Sequence, residues 1–544
     1  MMQRSLVVCS LLTVLAALAA PAVRAADVGI LQRADCMTLT PTAANTLCFD
    51  QTTNKLKRWN GTAWVDIVAG EVVNVRHYGA TGGGVVDDGQ AIRTAAAVVQ
   101  ASGKGTLLFP KGDYLVFKEG VSYAVLVDLS SCDGVRLVFE AGARFLVDPT
   151  RTWTGEYGYL FRFTDCSNIA FEGPLYAEGP YSANLIPPDG SGNPYGIGLA
   201  RFMGNTGGRN ITLPFARIKN MAYGYLFNNG NPTPGLYSNI RIGILDAESI
   251  AYGISGTNVE NLTADLIKTN RVHRSYFFFH FKNHTVNVVS KDPHSADINI
   301  TCYAPTHINS GLKLRYTNLD STAATPSAWI QLNWFGYTDN GGIYSAGQME
   351  NIDIIVDVKF NGKGGGGSLL DFEKYTDSTH HPAIFDPDDR QRVLSNFSLS
   401  GVVRGTLDPT TNGLGYTNSN WGDTTRPGYN PINADRFTNF RIHDLTIDSS
   451  IAGLMYFRLN CFTNMPVVEN VYAPGTYILI DNGLLHGIIA NPPVPVIYRN
   501  VVFEGSNWVG DGGNPSKHIY EDCTFGPTGS KVLSRLNKQF RTTR

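Results

Sequence analysis

The chain has 544 residues, with 44 Lys and Arg against 46 Asp and Glu and a formal net charge of −2. A balance so close to neutral excludes a general pull toward nucleic acid or a membrane surface, so any argument from charge has to be local. With 57 Gly, 25 Tyr and 27 Phe, the composition fits a β-rich, turn-rich protein, and the length exceeds what one compact core spans.

Residues 1–25 read as a secretory signal. Arg4 supplies the positive start, Leu6 to Ala20 an apolar run, and Val23-Arg24-Ala25 a small-residue cleavage site. The mature chain is therefore expected to begin at Ala26, in the periplasm or outside the cell. Pro21 and Arg24 end the run too early for a membrane anchor, and no later segment is apolar for long enough to span a bilayer.

Residues 26–70 form a small β module. Leu47-Cys48-Phe49 and Leu56-Lys57-Arg58-Trp59 read as strands joined by a polar turn, and Asn60-Gly61 turns the chain again before Trp64. Cys36 and Cys48 flank a short polar loop and could close a disulfide in an oxidising compartment. The stretch resembles the small modules that precede the β-helix in phage tail proteins and secreted adhesins. By that resemblance a homotrimer is allowed.

Residues 71–530 carry one long pattern. It opens with Val72-Val73-Asn74-Val75-Arg76-His77-Tyr78-Gly79-Ala80-Thr81-Gly82-Gly83-Gly84, then Asp87-Asp88-Gly89 before a helical stretch from Gln90 to Gln100. Asp87 or Asp88 reads as the cap of that helix rather than as a catalytic pair. Phe109-Pro110 and Gly112 place the first coil. From residue 159 onward an Asn followed by an apolar residue recurs: Asn168-Ile169, Asn210-Ile211, Asn239-Ile240, Asn261-Leu262, Asn351-Ile352, Asn396-Phe397, Asn439-Phe440, Asn470-Val471 and Asn500-Val501. Most spacings are roughly 20 to 45 residues, the range of coil repeats that bury their apolar face only by stacking. The opening segment resembles the start of the pectate-lyase-like right-handed parallel β-helix superfamily, which includes polygalacturonase-like enzymes and phage tailspikes. The resemblance implies an all-β right-handed parallel β-helix, capped by the short helix, that acts on polysaccharides. Cys132 and Cys166, both in turns before strands, would lie on adjacent coils about 4.8 Å apart, a spacing that suits a disulfide. Cys302, Cys461 and Cys523 have no evident partner. Residues 531–544 form a basic tail.

The strands before the turns align on a basic position: Arg162, Arg201, His280, Arg315, Lys374 and Arg458. A column of positive charge needs acidic partners or an anionic ligand such as a polyanionic glycan. Two chemistries fit. In β-elimination on a uronate, His280, Tyr276 or Lys282 is the base, and Arg315 or Lys313 neutralises the carboxylate. In hydrolysis, Asp371 and Glu373 are the paired carboxylates, about 7 Å apart as residues i and i+2 of a strand. Arg162, Arg201, Lys313, Asn333, Trp334 and Lys374 are the expected substrate-binding residues. The expected function is an acidic-polysaccharide lyase, with a glycoside hydrolase as the alternative and a uronate epimerase or a non-catalytic glycan-binding surface protein behind it. The sequence lacks the Asn-Thr-Asp and Gly-His-Gly marks of polygalacturonases. No zinc-ligand spacing occurs, and the residues establish no cofactor. Asp353, Asp357, Asp371 and Glu373 could supply a calcium site.

Overall fold

The structure is a computed structural model. It describes residues 31–33, 36, 40, 47–50, 55–59, 64–66, 72–118, 123–150, 158–180, 196–228, 235–293, 296–302, 308–319, 328–335, 338–339, 342–343, 348–361, 368–375, 393–406, 415–417, 436–448, 453–458, 464–473, 476–481, 496–503 and 518–525. The signal segment 1–25, Cys461 and the basic tail 531–544 lie outside the described residues. The chain divides into two compact units, with the boundary between Val68 and Ala69.

In the first unit, Leu47–Asp50 pairs antiparallel with Lys55–Trp59, which pairs antiparallel with Trp64–Asp66. Leu31–Arg33 adds a parallel edge. Cys36 and Cys48 form a disulfide, and Trp59 packs on Trp64 with ring centres 5.7 Å apart. These four side chains are the unit's buried cluster. So small a unit cannot bury much apolar surface, and a cross-link offsets that deficit.

The second unit is a right-handed parallel β-helix, wound with the hand that parallel crossovers adopt. Each coil contributes to three rows of parallel strands. Row one includes Gly105–Phe109, Asp133–Phe139 and Ser167–Glu172. Row two includes Gly112–Val116, Ala143–Val147 and Leu175–Glu178. Row three runs through Val125–Ser130, Gly158–Thr164, Ile197–Met203 and Tyr223–Phe227, continues at 252–256 and 275–279, and passes on to Ile298–Cys302, Ala328–Phe335, Ser368–Tyr375 and Gly415–Thr417. Alternate residues of each strand point inward, so like side chains stack along the axis. Val135, Ile169, Ile211 and Ile240 form one such column. Phe163, Phe202 and Phe227 form another, with rings stacked 5.0 Å apart at 11° and 12°. Each aromatic pair adds roughly 1 kcal/mol beyond its burial.

The asparagine repeat has a specific physical cause. Every asparagine of the pattern has φ between +50° and +57°. Asn tolerates this left-handed conformation better than other side-chain-bearing residues. Those from Asn168 to Asn439 sit at the corner that opens row one, while Asn470 and Asn500 stack above Asp444 at a later corner, and along each corner amides bond from coil to coil. Asn210 donates to Asn168 at 2.8 Å, Asn239 to Asn210 at 3.2 Å, Asn261 to Asn239 at 3.3 Å and Asn283 to Asn261 at 3.1 Å. Gly311, at φ +73°, takes the next corner, where a Cβ would come within 2.8 Å of Asn283 Oδ1. The run resumes as Asn396 donates to Asn351 at 2.8 Å and Asn439 to Asn396 at 2.7 Å.

The helix α1 (Gly89–Ser102) lies at the N-terminal end of the solenoid. Asp87 Oδ1 accepts from the Gly89 N–H at 2.8 Å, and Asp88 accepts from the Thr81 and Gly82 N–H groups at 2.6 and 3.1 Å. Both carboxylates thus serve the cap and the glycine turn. Cys132 and Cys166 stand on adjacent coils as the sequence suggests, yet both are buried free thiols, and the Cys132 N–H donates to Cys166 Sγ at 3.4 Å. The disulfide expected there is absent. Cys302 is a buried free thiol, and Cys523 is a free, half-buried one.

Candidate active site

The three rows expose different surfaces. Rows one and two carry ion pairs from coil to coil: Arg136 with Glu172, Arg144 with Asp113, Arg404 with Asp357, and Arg217 and Lys268 both on Asp246. Such exposed pairs are worth about 0–1 kcal/mol each and leave little charge for a ligand.

Row three has another composition. One column holds Tyr159, Gly198, Tyr223 and Tyr252 in register, with Tyr159 and Tyr223 buried and Tyr252 partly buried against them. Gly198 makes room there, since a Cβ would press within 2.9 Å of the Tyr159 ring. Tyr223 and Tyr252 stack at 5.4 Å and 7°, and Phe277 extends the platform at 5.7 Å. The Arg274 guanidinium lies 4.5 Å from the Phe277 ring centre and 6.0 Å from that of Tyr252, and Arg201 lies 5.3 Å from that of Tyr159. Tyr252 and Phe277 are only partly buried, and with Arg274 on their faces they are suited to a sugar ring and its carboxylate.

The row continues as two polar columns. Phe277, Asn299, Gln331, Asp371 and Tyr416 are in register, as are Phe279, Thr301, Asn333 and Glu373. Asn299 Nδ2 donates to Gln331 Oε1 at 2.8 Å, the Thr301 hydroxyl donates to Asn299 Oδ1 at 2.6 Å, and Asn333 Nδ2 donates to the same oxygen at 3.3 Å. Asn333 Oδ1 is buried and has no hydrogen-bond partner among the described residues. Asp371 and Glu373 alternate with core Leu370 and Phe372, so their backbone positions belong to the outward columns.

The basic column read from the sequence holds only at its start. Arg162 and Arg201 are in register, but the next positions are Leu226 and Ser255. Arg162 pairs with Asp128, Nε donating at 2.9 Å. Lys313 and Arg315 stand in row one, in register with Asp353 and Ile355. His280, at φ +52°, occupies the corner where the chain leaves row three, three residues before Asn283, as Asn258 does before Asn261. Burial pushes its imidazole below the ordinary range, opposed by Glu260. Lys282 follows that corner, in register with Ser310. Lys374 is in register with Trp334, between the positions of the two carboxylates' columns, and Arg458 with Asp481. The reason is local: a left-handed corner resets alternation, so residues on one stretch of sequence leave for different faces.

Tyr276 points into the core. Its hydroxyl meets His284 Nδ1 at 2.9 Å, and His284 Nε2 donates to the Val259 carbonyl at 3.1 Å. Burial drives the Tyr276 hydroxyl well above its usual range and the His284 imidazole down to about 3, so both are neutral. The four carboxylates considered for calcium are divided: Asp353 and Asp357 lie on Gln348–Asn361, which pairs within rows one and two, while Asp371 and Glu373 lie on row three. Asp353 accepts from the Ser398 hydroxyl at 2.5 Å, and Asp357 pairs with Arg404. Sequence reasoning missed Arg274, Asn299, Thr301 and the tyrosine column; Arg274 and Tyr252 lie in 236–291, one unbroken strand element whose corners carry few glycines.

No family model matches the sequence. No curated protein matches it either. Among solved structures, the chain is similar to the family 28 exopolygalacturonase of Yersinia enterocolitica, at 10% identity and a TM-score of 0.41 over 87% of this chain and 82% of that one. It is also similar to the A-module of the mannuronan C-5 epimerase AlgE6 of Azotobacter vinelandii, at 15% identity and a TM-score of 0.37 over 84% and 99% of the two chains. The surface adhesin PfbA of Streptococcus pneumoniae gives 11% identity and a TM-score of 0.33 over 82% and 97%. The fold assignment rests on the strand register above rather than on these likenesses.

Proposed function

We propose that the protein is a secreted or periplasmic glycoside hydrolase that takes a polysaccharide along the outward face of row three. The observation that carries this reading is the register of Asp371 beside Gln331 and of Glu373 beside Asn333, in line with the Tyr223–Tyr252–Phe277 platform. Two carboxylate positions i and i+2 are about 7 Å apart along a strand, within the spacing that leaves room for a water in an inverting hydrolase. One carboxylic acid gives its proton to the glycosidic oxygen as the C–O bond breaks. The other carboxylate takes a proton from the water whose oxygen attacks the anomeric carbon. Arg274 favours an acidic glycan, held by a carboxylate while a ring stacks on the partly buried Tyr252 and Phe277.

Support for β-elimination is weaker. It needs a base and a carboxylate-neutralising cation at one sugar, and Lys313 and Arg315 stand in row one while His280 stands at the corner leaving row three.

The test uses purified residues 26–544 with a panel of acidic and neutral polysaccharides. New reducing ends and the ultraviolet absorbance of unsaturated uronates are followed in the same tubes. Reducing ends without absorbance, lost in Asp371→Asn and Glu373→Gln, are expected. Both signals rising together would make the protein a lyase. Silence in both would leave an epimerase or a binding protein and overturn the hydrolase reading.

A further inference from the structure

The buried side-chain polar atoms that lack a hydrogen-bond partner among the described residues are not scattered over the solenoid. They lie on row three, as in Ser255 and Asn333, or at the residues that lead into and out of it, as in Ser249 and Asn228. The bodies of rows one and two hold none among the described residues. A buried polar group has given up water, and where it gains no partner in exchange the exception needs a cause.

Asn333 is the case whose orientation its neighbours settle. Thr301 is in register with it one coil earlier, and both alternate with core Ile300 and Leu332. The Thr301 hydroxyl donates to Asn299 Oδ1 at 2.6 Å, a distance typical of O–H···O rather than of N–H···O, which fixes the Asn299 oxygen on that side. Asn333 meets the same oxygen at 3.3 Å, so the nearer atom of its amide is Nδ2. The Asn333 nitrogen is thus turned back to Asn299, and its Oδ1 is the buried acceptor with no partner among the described residues.

The donors of a sugar ring are its hydroxyls, whereas a carboxylate or an ester offers none. We propose that Asn333 Oδ1 is the acceptor of a donor-selective subsite on row three. It takes a sugar hydroxyl and rejects the same position once that hydroxyl is acetylated. Asn299 and Thr301 are the positioning residues that keep the oxygen forward. A site built to hydrogen-bond a hydroxyl discriminates strongly, because the wrong ligand leaves the buried acceptor unpaired. The proposal rests on the reading of row three as the glycan face and is independent of how the two carboxylates divide their work.

The experiment measures the affinity of residues 26–544 by retardation in native gels cast with polygalacturonate, alginate or dextran, each plain and O-acetylated. Wild type should bind at least one plain polymer about tenfold or more tightly than its acetylated form. Asn333→Leu should bind both forms alike, at the level wild type shows for the acetylated one. Asn333→Ala should do the same and serves where the leucine variant does not fold. Thr301→Val should narrow the ratio and leave affinity for the acetylated form in place, since Asn299 is then free to turn. A merely structural role for Thr301 would not move that ratio. Equal affinity of wild type for both forms, an unchanged ratio in the Asn333 variants, or no retardation by any polymer overturns the subsite. The hydrolase reading is judged apart from this, by whether reducing ends appear.

Discussion

The Asp297 carboxylate and the Tyr316 hydroxyl meet at 2.8 Å inside the coils, both fully buried. The other carboxylate oxygen accepts from the Ser275 N–H at 3.0 Å and the Ser275 hydroxyl at 2.5 Å. Ser275 is held in turn by Thr269 at 2.6 Å. A buried acid is therefore fixed at the turn into row three by residues of three coils.

Burial is the main influence on Asp297 and raises its pKa, against the hydrogen bonds from Ser275, Ser290 and Tyr316. An acid whose folded pKa lies above its unfolded value binds more protons when folded. Its contribution is complete below the unfolded value of about 3.9 and is lost as pH rises through the folded pKa. Thermal melts across that window should show Asp297→Asn losing less stability with rising pH than wild type. Equal slopes would refute it. Tyr316→Phe should cost about 1–3 kcal/mol at neutral pH, measured by denaturant titration.

His284 has the opposite sign. Its imidazole is neutral down to about 3 in the folded protein and protonates near 6.5 when unfolded. Its stabilisation is whole above pH 6.5 and declines toward pH 3, with a slope of about 1.4 kcal/mol per pH unit for one proton. A variant His284→Gln should be less stable at pH 7 and should show a shallower decline between those limits. An unchanged slope in acid unfolding curves would count against the neutral core histidine.

The asparagine corners can be tested one at a time. Asn239→Ala should destabilise by about 1–2 kcal/mol from left-handed strain, with more from the two amide bonds it loses. Asn239→Gly should lose only the bonds. Equal melting temperatures for the two variants would show that the backbone conformation is not what the asparagine secures.

The faces should separate in function. Arg274→Ala should raise KM for an acidic glycan about tenfold and leave kcat within a factor of two, since Arg274 lies on the platform rather than at the carboxylates. Arg274→Lys should not restore it, because a lysine does not stack or bind a carboxylate bidentately. Arg217→Ala, on the ion-paired face of row two, should change neither KM nor kcat and shift stability by less than about 1 kcal/mol. An effect on turnover from Arg217→Ala would place the working surface elsewhere.

Much of the fold was legible in the sequence because one conformational demand, the left-handed corner, selects one residue type. Asn168 through Asn439 announce both the coil and its register, while Asn470 and Asn500 announce the coil but stand at a later corner. The Cys36–Cys48 bridge and the Asp87-Asp88 cap were readable for the same reason, being local. The site was less legible. Arg162 and Arg201 align by eye and align in space, but His280 and Arg315 share their spacing and leave for different surfaces. The deciding corner at His280 carries neither Asn nor Gly, so nothing in the letters marks the change of direction. Asn299 and Asn333 are ordinary residues in the sequence and gain meaning only when Thr301 and Gln331 are stacked beside them.

Gly311 has a mechanical consequence. A coil touches only its two neighbours, so resistance to opening is a sum of nearest-neighbour terms. At Gly311 the cross-coil amide bond that links Asn261 to Asn283 on one side and Asn351 to Asn396 on the other has no side chain to form it. Fraying that starts at either end of the spiral meets there a seam held by strand pairing without the asparagine bond. Amide exchange should report two protected blocks that part at this seam, and a glycan spanning it would bridge them as a splint.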